Sequence, residues 1–404
     1  MSAPHDVLVV GASAAGLATV EALRRKGYEG GVTVLGAEAH LPYDRPPLSK
    51  QVLAGTWTPE QARLRTPEAL SALDAEFVLA DPATRLDAGT RTVHTMSGRT
   101  LTAAAVVLAT GLRPRTLPGQ QGLVGVHVLR TLDDALALRA DLGPGRRVVV
   151  VGDGVLGAEI AAAVSGLGGP VTLAGPQPAP LAYQFGPLAA GLLAELHDAR
   201  GVELRLGAAV TGLTEEDGRV AGVRLATGEV LPADVVVVAF GAAPATEWLS
   251  GSGVLCDNGI VCDSRCRAAD GIYAAGDVAR WHHEGLDALL RLENRTNATE
   301  QAVAVAGNIL GDDRPYTPVP YFWTNQFDAR IHVHGILSAD AEVSIVEGDV
   351  REGRFVAQYR RAGEVTGVLG WNMPKQARLR RQEIAGPAHS TVTDLARLRG
   401  LSMS

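Results

Sequence analysis

The 404-residue sequence predicts an α/β chain of buried parallel strands, built on a repeated strand–turn–helix unit and finished by a smaller α+β domain. Three observations predict it. Unbroken apolar runs recur at Val7–Val10, Ala105–Leu108, Val148–Val151 and Val235–Val238, and runs without alternation suit strands covered on both faces. Two of these runs lead straight into glycine-rich turns, Gly11-Ala12-Ser13-Ala14-Ala15-Gly16 and Gly152-Asp153-Gly154-Val155-Leu156-Gly157. The segment that closes each unit is also echoed, as Ala109-Thr110-Gly111 with Pro114 and as Phe240-Gly241 with Pro244.

Composition bounds the classes of function. The net charge of −7 argues against a nucleic-acid binder. No apolar run reaches membrane-span length, and residues 1–6 lack the charged and apolar regions of a signal peptide, so no membrane association and a cytoplasmic location are expected. Cys256, Cys262 and Cys266 fall in one short stretch. Their spacing and number do not suit zinc or an iron–sulfur cluster, and Gly259–Cys262 reads as a strand in which cysteine is a small hydrophobe; no metal site is expected.

In chain order, Val7–Val10 forms the first strand, and Leu17, Val20 and Leu23 fall at helical spacing after the turn. The free N–H groups at such a helix start, with the helix dipole, favour a phosphate. Gly11, Ser13, Ala15 and Gly16 are the small residues that let a pyrophosphate approach, with serine in place of the usual second glycine. The next strand is Val32–Leu35. Gly36 holds the place of the ribose-binding acid and Glu38 lies two residues on, as a ribose ligand or as a solvated loop carboxylate.

Leu41 to Lys50 follows, with Pro46-Pro47 as a rigid lead-in to a helix that fixes Arg45 and Lys50. The segment Pro42-Tyr43-Asp44-Arg45-Pro46-Pro47-Leu48-Ser49-Lys50 resembles the FAD-dependent ferredoxin reductases, relatives of putidaredoxin reductase and of dioxygenase-system reductases. Disulfide reductases carry a C-x4-C electron relay in this region; no cysteine stands here, which excludes that relay.

A strand near Glu76–Leu79, a hairpin through Thr92–Thr102 and the strand Ala105–Leu108 come next, and Thr131 is the expected N-cap of a helix. The resemblance adds Arg130 and Ala83 to the flavin-binding residues. The second unit, Val148–Val151 with Gly152, Gly154 and Gly157, is a full G-x-G-x-x-G fingerprint, and Val171–Ala174 is its following strand. Two such units in one chain mark two Rossmann-like dinucleotide-binding domains, the second inserted in the first. Ala268–Asp277 resembles the flavin signature in which Asp277, after Gly276, holds the ribityl chain. The first domain is thereby assigned non-covalent FAD and the inserted one NADH or NADPH.

The strand end Gly175-Pro176-Gln177 offers neither acid nor arginine, so weak discrimination between NADH and NADPH is expected, and Gly175→Glu is expected to tilt it toward NADH. Residues 291–302 resemble the family's flavin-contacting helix, with Arg295 where many members carry tryptophan. Tyr321-Phe322-Trp323-Thr324-Asn325-Gln326 resembles the opening of the family's C-terminal domain, where Trp323 joins the site; strands Val343–Glu347 and Phe355–Tyr359 and a helix from Pro374 follow, and the tail beyond Ile384 is expected to be loosely held.

The resemblance covers residues 7–383. It implies an FAD-binding domain in two parts (1–112 and 242–318), an NAD(P)-binding domain (113–241) and a C-terminal domain (319–404). It implies that Lys50 and Glu159 face the flavin, paired, and that electrons pass from NAD(P)H through FAD to a small iron–sulfur ferredoxin serving a cytochrome P450 or Rieske oxygenase. An NAD(P)H oxidase or quinone reductase, and a redox-responsive binding flavoprotein, remain open alternatives. Arg295 and the Lys375, Arg378, Arg380, Arg381 face are the candidate docking cations for an acidic ferredoxin.

Overall fold

A computed structural model describes residues 3–384. Two open sheets carry the repeat. In the first, the order is Arg267–Ala269, Ile272–Ala274, Ala105–Leu108, Asp6–Val10, Gly31–Leu35 and Glu76–Val78. In the second it is Val202–Leu206, Val171–Gly175, Val148–Val151, Val235–Val238 and Val126–Val128. The valine runs are the central strands. Val7–Val10 lies between Val32–Leu35 and Ala105–Leu108, and Val148–Val151 lies between Val171–Ala174 and Val235–Val238, all in parallel register. These four-residue runs are buried throughout, which explains their lack of alternation.

The turns repeat in detail. Gly11 and Gly152 have φ of +125° and +121°, and a Cβ on either would sit on a carbonyl oxygen of the neighbouring crossing, Ala109 or Ala239. Their N–H groups donate to the Leu35 and Ala174 carbonyls at 2.7 and 2.8 Å. Only glycine fits such a backbone approach. The echoed proline segments meet each other: Leu112–Pro114 pairs antiparallel with Ala242–Pro244, so the chain's two crossings run side by side.

Thr131 caps the helix Leu132–Asp141 by accepting from Asp134 N–H, while Asp134 accepts from Thr131 N–H, a reciprocal box. Two expectations shift. After Pro46-Pro47 the chain makes a wide π-type turn, Leu48–Val52, in which Val52 N–H reaches back to Pro47. The helix expected from residue 291 begins at Arg295 and runs to Ile309, because Asn294 caps it through Asn297 N–H. Residues 291–294 stay outside the helix and leave Arg291 to bond the Asp277 carbonyl.

The C-terminal unit is an antiparallel sheet ordered Tyr321–Gln326, Ala329–Gly335, Glu364–Trp371, Arg354–Arg361, Glu342–Asp349, with the helix Pro374–Arg380 on it. Tyr359 Oη donates to the Phe185 carbonyl at 2.7 Å, tying this sheet to the inserted domain. Ile260–Cys262 is a strand, as read, and burial holds the Cys262 thiol well above its ordinary range and pushes that of Cys266 up to about 12. Among the described residues no cluster gathers metal-binding side chains, and no helix is long and apolar enough to cross a membrane. The tail beyond Ile384 lies outside the described residues.

Candidate active site

The C-terminal edges of both parallel sheets and the opening strand of the C-terminal domain converge on one cavity of about 400 Å³. Its walls take small residues from the first turn (Ser13, Ala15), apolar side chains such as Leu129, Leu290 and Leu337, and a set of charges. Of the residues singled out from sequence, Ser13, Ala15, Arg45, Lys50, Arg130, Glu159, Gly276, Asp277, Arg295 and Trp323 line it. Gly11 and Gly16 shape the turn beneath. Gly152, Gly154 and Gly157 form the second turn, and Glu38 and Ala83 lie outside the lining.

The charges form two groups. In the first, Arg130 Nη2 donates to Asp277 Oδ2 at 3.3 Å, and Arg45 donates both to the Arg130 carbonyl at 2.5 Å and to Glu38 Oε1 at 2.8 Å. Tyr43 Oη donates to Glu38 Oε2 at 2.5 Å, so the loop acid is fixed in place. Burial, followed by the charge of Arg45, pulls Arg130 down from the ordinary guanidinium range. Arg130 Nε and Arg291 Nε are buried with no hydrogen-bond partner. Arg291 Nη1 lies 2.7 Å from Glu293 Oε1, within ion-pair reach but off hydrogen-bond alignment. Burial pushes the Glu293 carboxyl up to about 7, against the pull of Arg291 and with the push of Asp277. Three guanidinium groups, two with an unspent donor, leave this end of the cavity suited to a polyanion.

The second group is closed. Lys50 Nζ and Ser49 Oγ donate to Glu159 Oε2 at 2.5 and 2.6 Å, and Thr324 Oγ1 donates to Glu159 Oε1 at 2.8 Å. Gln326 Nε2 supports Thr324, and His197 Nε2 and Gln326 Oε1 are 2.7 Å apart. The expected Lys50–Glu159 pair is therefore present, and both carboxylate oxygens are satisfied by groups from separate parts of the chain. A buried ion pair of this kind tolerates loss of neither partner.

Trp323 stacks on Tyr321 with ring centroids 6.0 Å apart; Tyr321 stacks on His334 at 4.7 Å and lies 2.8 Å from His332 Nδ1 through its hydroxyl. Burial first, then Arg381, His332 and Arg378, pushes His334 down to about 4, so it is a neutral ring at pH 7.

Three sequence readings are corrected. Arg295 is not a free docking cation: Nε donates to Asp44 Oδ1 at 2.6 Å and Nη1 donates to Thr299 Oγ1. Arg380 is engaged by Glu347 and Glu383. Gly175 has no room for a side chain, because a Cβ there would fall on the Asp153 carboxylate. Sequence reasoning also passed over Ser49, Thr324 and Glu293. A charged residue directly after the stretch Ala288-Leu289-Leu290-Arg291-Leu292 is the one signal available for the last.

Small turn residues, unspent cations for a pyrophosphate and an apolar slot fit FAD in the first domain, with Ser13, Ala15, Arg45, Arg130 and Asp277 as the residues that would hold it. Two dinucleotide folds facing one cavity define a nicotinamide-dependent flavoprotein oxidoreductase. The family model described as pyridine nucleotide-disulphide oxidoreductase matches residues 5–302, and one described as reductase C-terminal matches residues 321–398. A probable ferredoxin reductase, CtmF, of Castellaniella defragrans is 37% identical over 91% of this chain and 90% of its own. Putidaredoxin reductase CamA of Pseudomonas putida is 34% identical over 93% of this chain and 90% of its own. The solved covalent putidaredoxin reductase–putidaredoxin complex matches with a TM-score of 0.89 at 32% identity, covering 99% of both chains. The chain belongs to the pyridine nucleotide-disulphide oxidoreductases and, within them, to the FAD- and NAD(P)H-using ferredoxin reductases.

Proposed function

We propose that this chain takes electrons from NAD(P)H and delivers them to a small iron–sulfur ferredoxin that serves an oxygenase of the cytochrome P450 or Rieske type. The observation that carries the reading is the shared cavity. All three domains contribute to its lining and no thiol is in it, so electrons leave without a dithiol relay.

Bound FAD supplies the conversion between two-electron and one-electron chemistry. This chain's residues do the rest. Ser13 and Ala15 would admit the pyrophosphate, Arg45 and Arg130 would neutralise it, and Asp277 would accept from the polyol chain. Glu38 and Ala83 belong to the adenosine end, joined to the cavity through the Arg45–Glu38 pair. Lys50, held by Glu159, keeps a positive charge against the apolar slot, where it favours added negative charge. Gly152, Gly154 and Gly157 open the second turn to the nicotinamide nucleotide. The aromatic stack from Trp323 through Tyr321 to His332 runs from the cavity wall to the strand Ala329–Gly335, on which the helix Pro374–Arg380 packs. A cytoplasmic location goes with this reading, since NAD(P)H is supplied there.

The test is rapid-mixing reduction by NADH and by NADPH, followed by a panel of [2Fe–2S] ferredoxins as acceptors. Fast flavin bleaching and reoxidation by at least one ferredoxin are expected. Rapid turnover with oxygen or a quinone, and none with any ferredoxin, would make the oxidase reading the correct one.

A further inference from the structure

The strand ends of the two dinucleotide domains can be matched residue by residue through their backbone bonds. Gly36 O and Glu38 O accept from Asp81 and Ala80 N–H, each at 3.0 Å. In the inserted domain, Gly175 O and Gln177 O accept from Ala208 and Gly207 N–H at 3.3 and 2.9 Å. Gly175 thus stands where Gly36 does, and Gln177 where the acid Glu38 does. The residue facing the strand-end glycine is Ala12 in one domain and Asp153 in the other.

Asp153 changes the second site. Its Oδ2 accepts from Gln177 N–H at 2.7 Å and its Oδ1 from Gln177 Nε2 at 2.8 Å. Its carbonyl accepts from Leu181 N–H at 2.9 Å, and Gln177 Oε1 accepts from Tyr183 N–H at 2.8 Å. Asp153 and Gln177 are 2% and 1% exposed. The carboxylate is spent on the loop, and the side chain at the ribose position is folded into it. The nearest cation on the neighbouring strand, Arg205 opposite Ala174, is engaged by Glu203 and Glu229. Among the described residues, the strand end thus presents no free acid to bond a ribose diol and repel a 2′-phosphate, and the strand beside it presents no unengaged arginine to bind that phosphate.

We propose that the inserted domain does not discriminate between NADH and NADPH, and that Asp153 is the specificity-determining residue, because it occupies the space a strand-end acid would need. The inference rests on the reading that this domain takes a nicotinamide nucleotide, and it refines that reading. It also predicts that Gly175→Glu by itself gives no NADH preference, because the new side chain enters space that Asp153 already fills.

The test is calorimetric binding of 5′-AMP and of adenosine 2′,5′-bisphosphate to the flavin-loaded protein, a readout separate from turnover. For the wild type the two dissociation constants should lie within about tenfold of each other, or about 1.4 kcal/mol. Gly175→Glu should leave that ratio within the same bound, whereas Asp153→Ala with Gly175→Glu should move it more than tenfold toward 5′-AMP. A wild-type ratio beyond tenfold in either direction overturns the proposal. So does a tenfold shift from Gly175→Glu alone, or an unshifted ratio in a folded, yellow double variant. If the double variant does not fold, the wild-type and single-variant ratios decide. Failure of the underlying reading looks different: neither NADH nor NADPH would bleach the flavin.

Discussion

The two dinucleotide domains use the same backbone and finish it in opposite ways. Both place a glycine at φ near +120° under a neighbouring carbonyl, and both run the first strand between two buried parallel partners. At the cavity beside the first turn polar groups are left over: Arg130 Nε, contributed by the inserted segment, and Arg291 Nε and Glu293 Oε1 are buried without hydrogen-bond partners. In the second domain, Asp153, Gln177, Leu181 and Tyr183 form a loop in which the carboxylate and the amide are both spent. Groups left unsatisfied in a folded chain await a tightly held ligand, while a saturated loop suits a nucleotide that must come and go.

The largest expected effect separates the two glycines. Gly11→Ala puts a Cβ on the Ala109 carbonyl and should yield protein that no longer retains FAD, seen as loss of flavin absorbance. Gly152→Ala meets the Ala239 carbonyl in the same way, yet should stay yellow while kcat/KM for NAD(P)H falls by at least about 10², or about 2.7 kcal/mol. Loss of flavin from both variants would mean that the domains do not divide the labour.

Much of this was legible in sequence for a physical reason. Strands buried on both faces cannot carry polar residues, so Val148–Val151 and Val235–Val238 announce themselves, and a turn that only glycine can make fixes Gly11 and Gly152. The Lys50–Glu159 pair was reached through resemblance and is present. The residues that read wrongly depend on distant partners. Arg295 is neutralised by Asp44, which is far away in sequence, and Arg380 by the distant Glu347 as well as by Glu383, three residues on. Asp153 sits at a position where the fingerprint accepts any residue, so its capture of Gln177 leaves no mark on the motif.

The next effect probes the unsatisfied side of the comparison. Asp277→Ala removes the carboxylate that Arg130 donates to and adds one more unpaired guanidinium to a cavity that already has a surplus. FAD retention should weaken by roughly 10- to 100-fold, the range for leaving a buried polar group unpaired. Dissociation on dilution, followed by flavin fluorescence, measures it.

Glu293 gives a pH test of the same surplus. Its carboxyl is raised to about 7, so between the ordinary glutamate range and pH 7 the folded chain holds a proton that the unfolded chain releases. The sign follows: its contribution to stability is greatest at low pH and is lost as pH rises through about 7. In protein stripped of FAD, wild type should lose roughly 2 kcal/mol relative to Glu293→Gln between pH 5 and pH 8. Denaturant melts at the two pH values measure the difference, and parallel losses in both proteins would place the titration elsewhere.

The smallest effect carries the contrast between spent and unspent charge to the surface. Arg295 and Arg380 are paired, whereas Lys375, Arg378 and Arg381 are exposed and, among the described residues, in no ion pair; exposed Leu379 lies among them. Arg378 and Arg381 both act on His334, which stacks on Tyr321 in the cavity wall, so these cations stand one aromatic layer from the cavity. The chain is acidic overall, so attraction of an acidic ferredoxin must be local. Reversing Arg378 and Arg381 to glutamate should raise KM for ferredoxin by roughly three- to tenfold at low salt and leave KM for NAD(P)H unchanged. Raising salt should shrink the gap between variant and wild type, because at 0.1 M the screening length is already about 10 Å. The same reversal at Arg380, whose charge is spent on Glu347 and Glu383, should change ferredoxin kinetics less than either of the others. An equal effect at all three positions would mean that docking reads the helix as a whole rather than its unpaired charges.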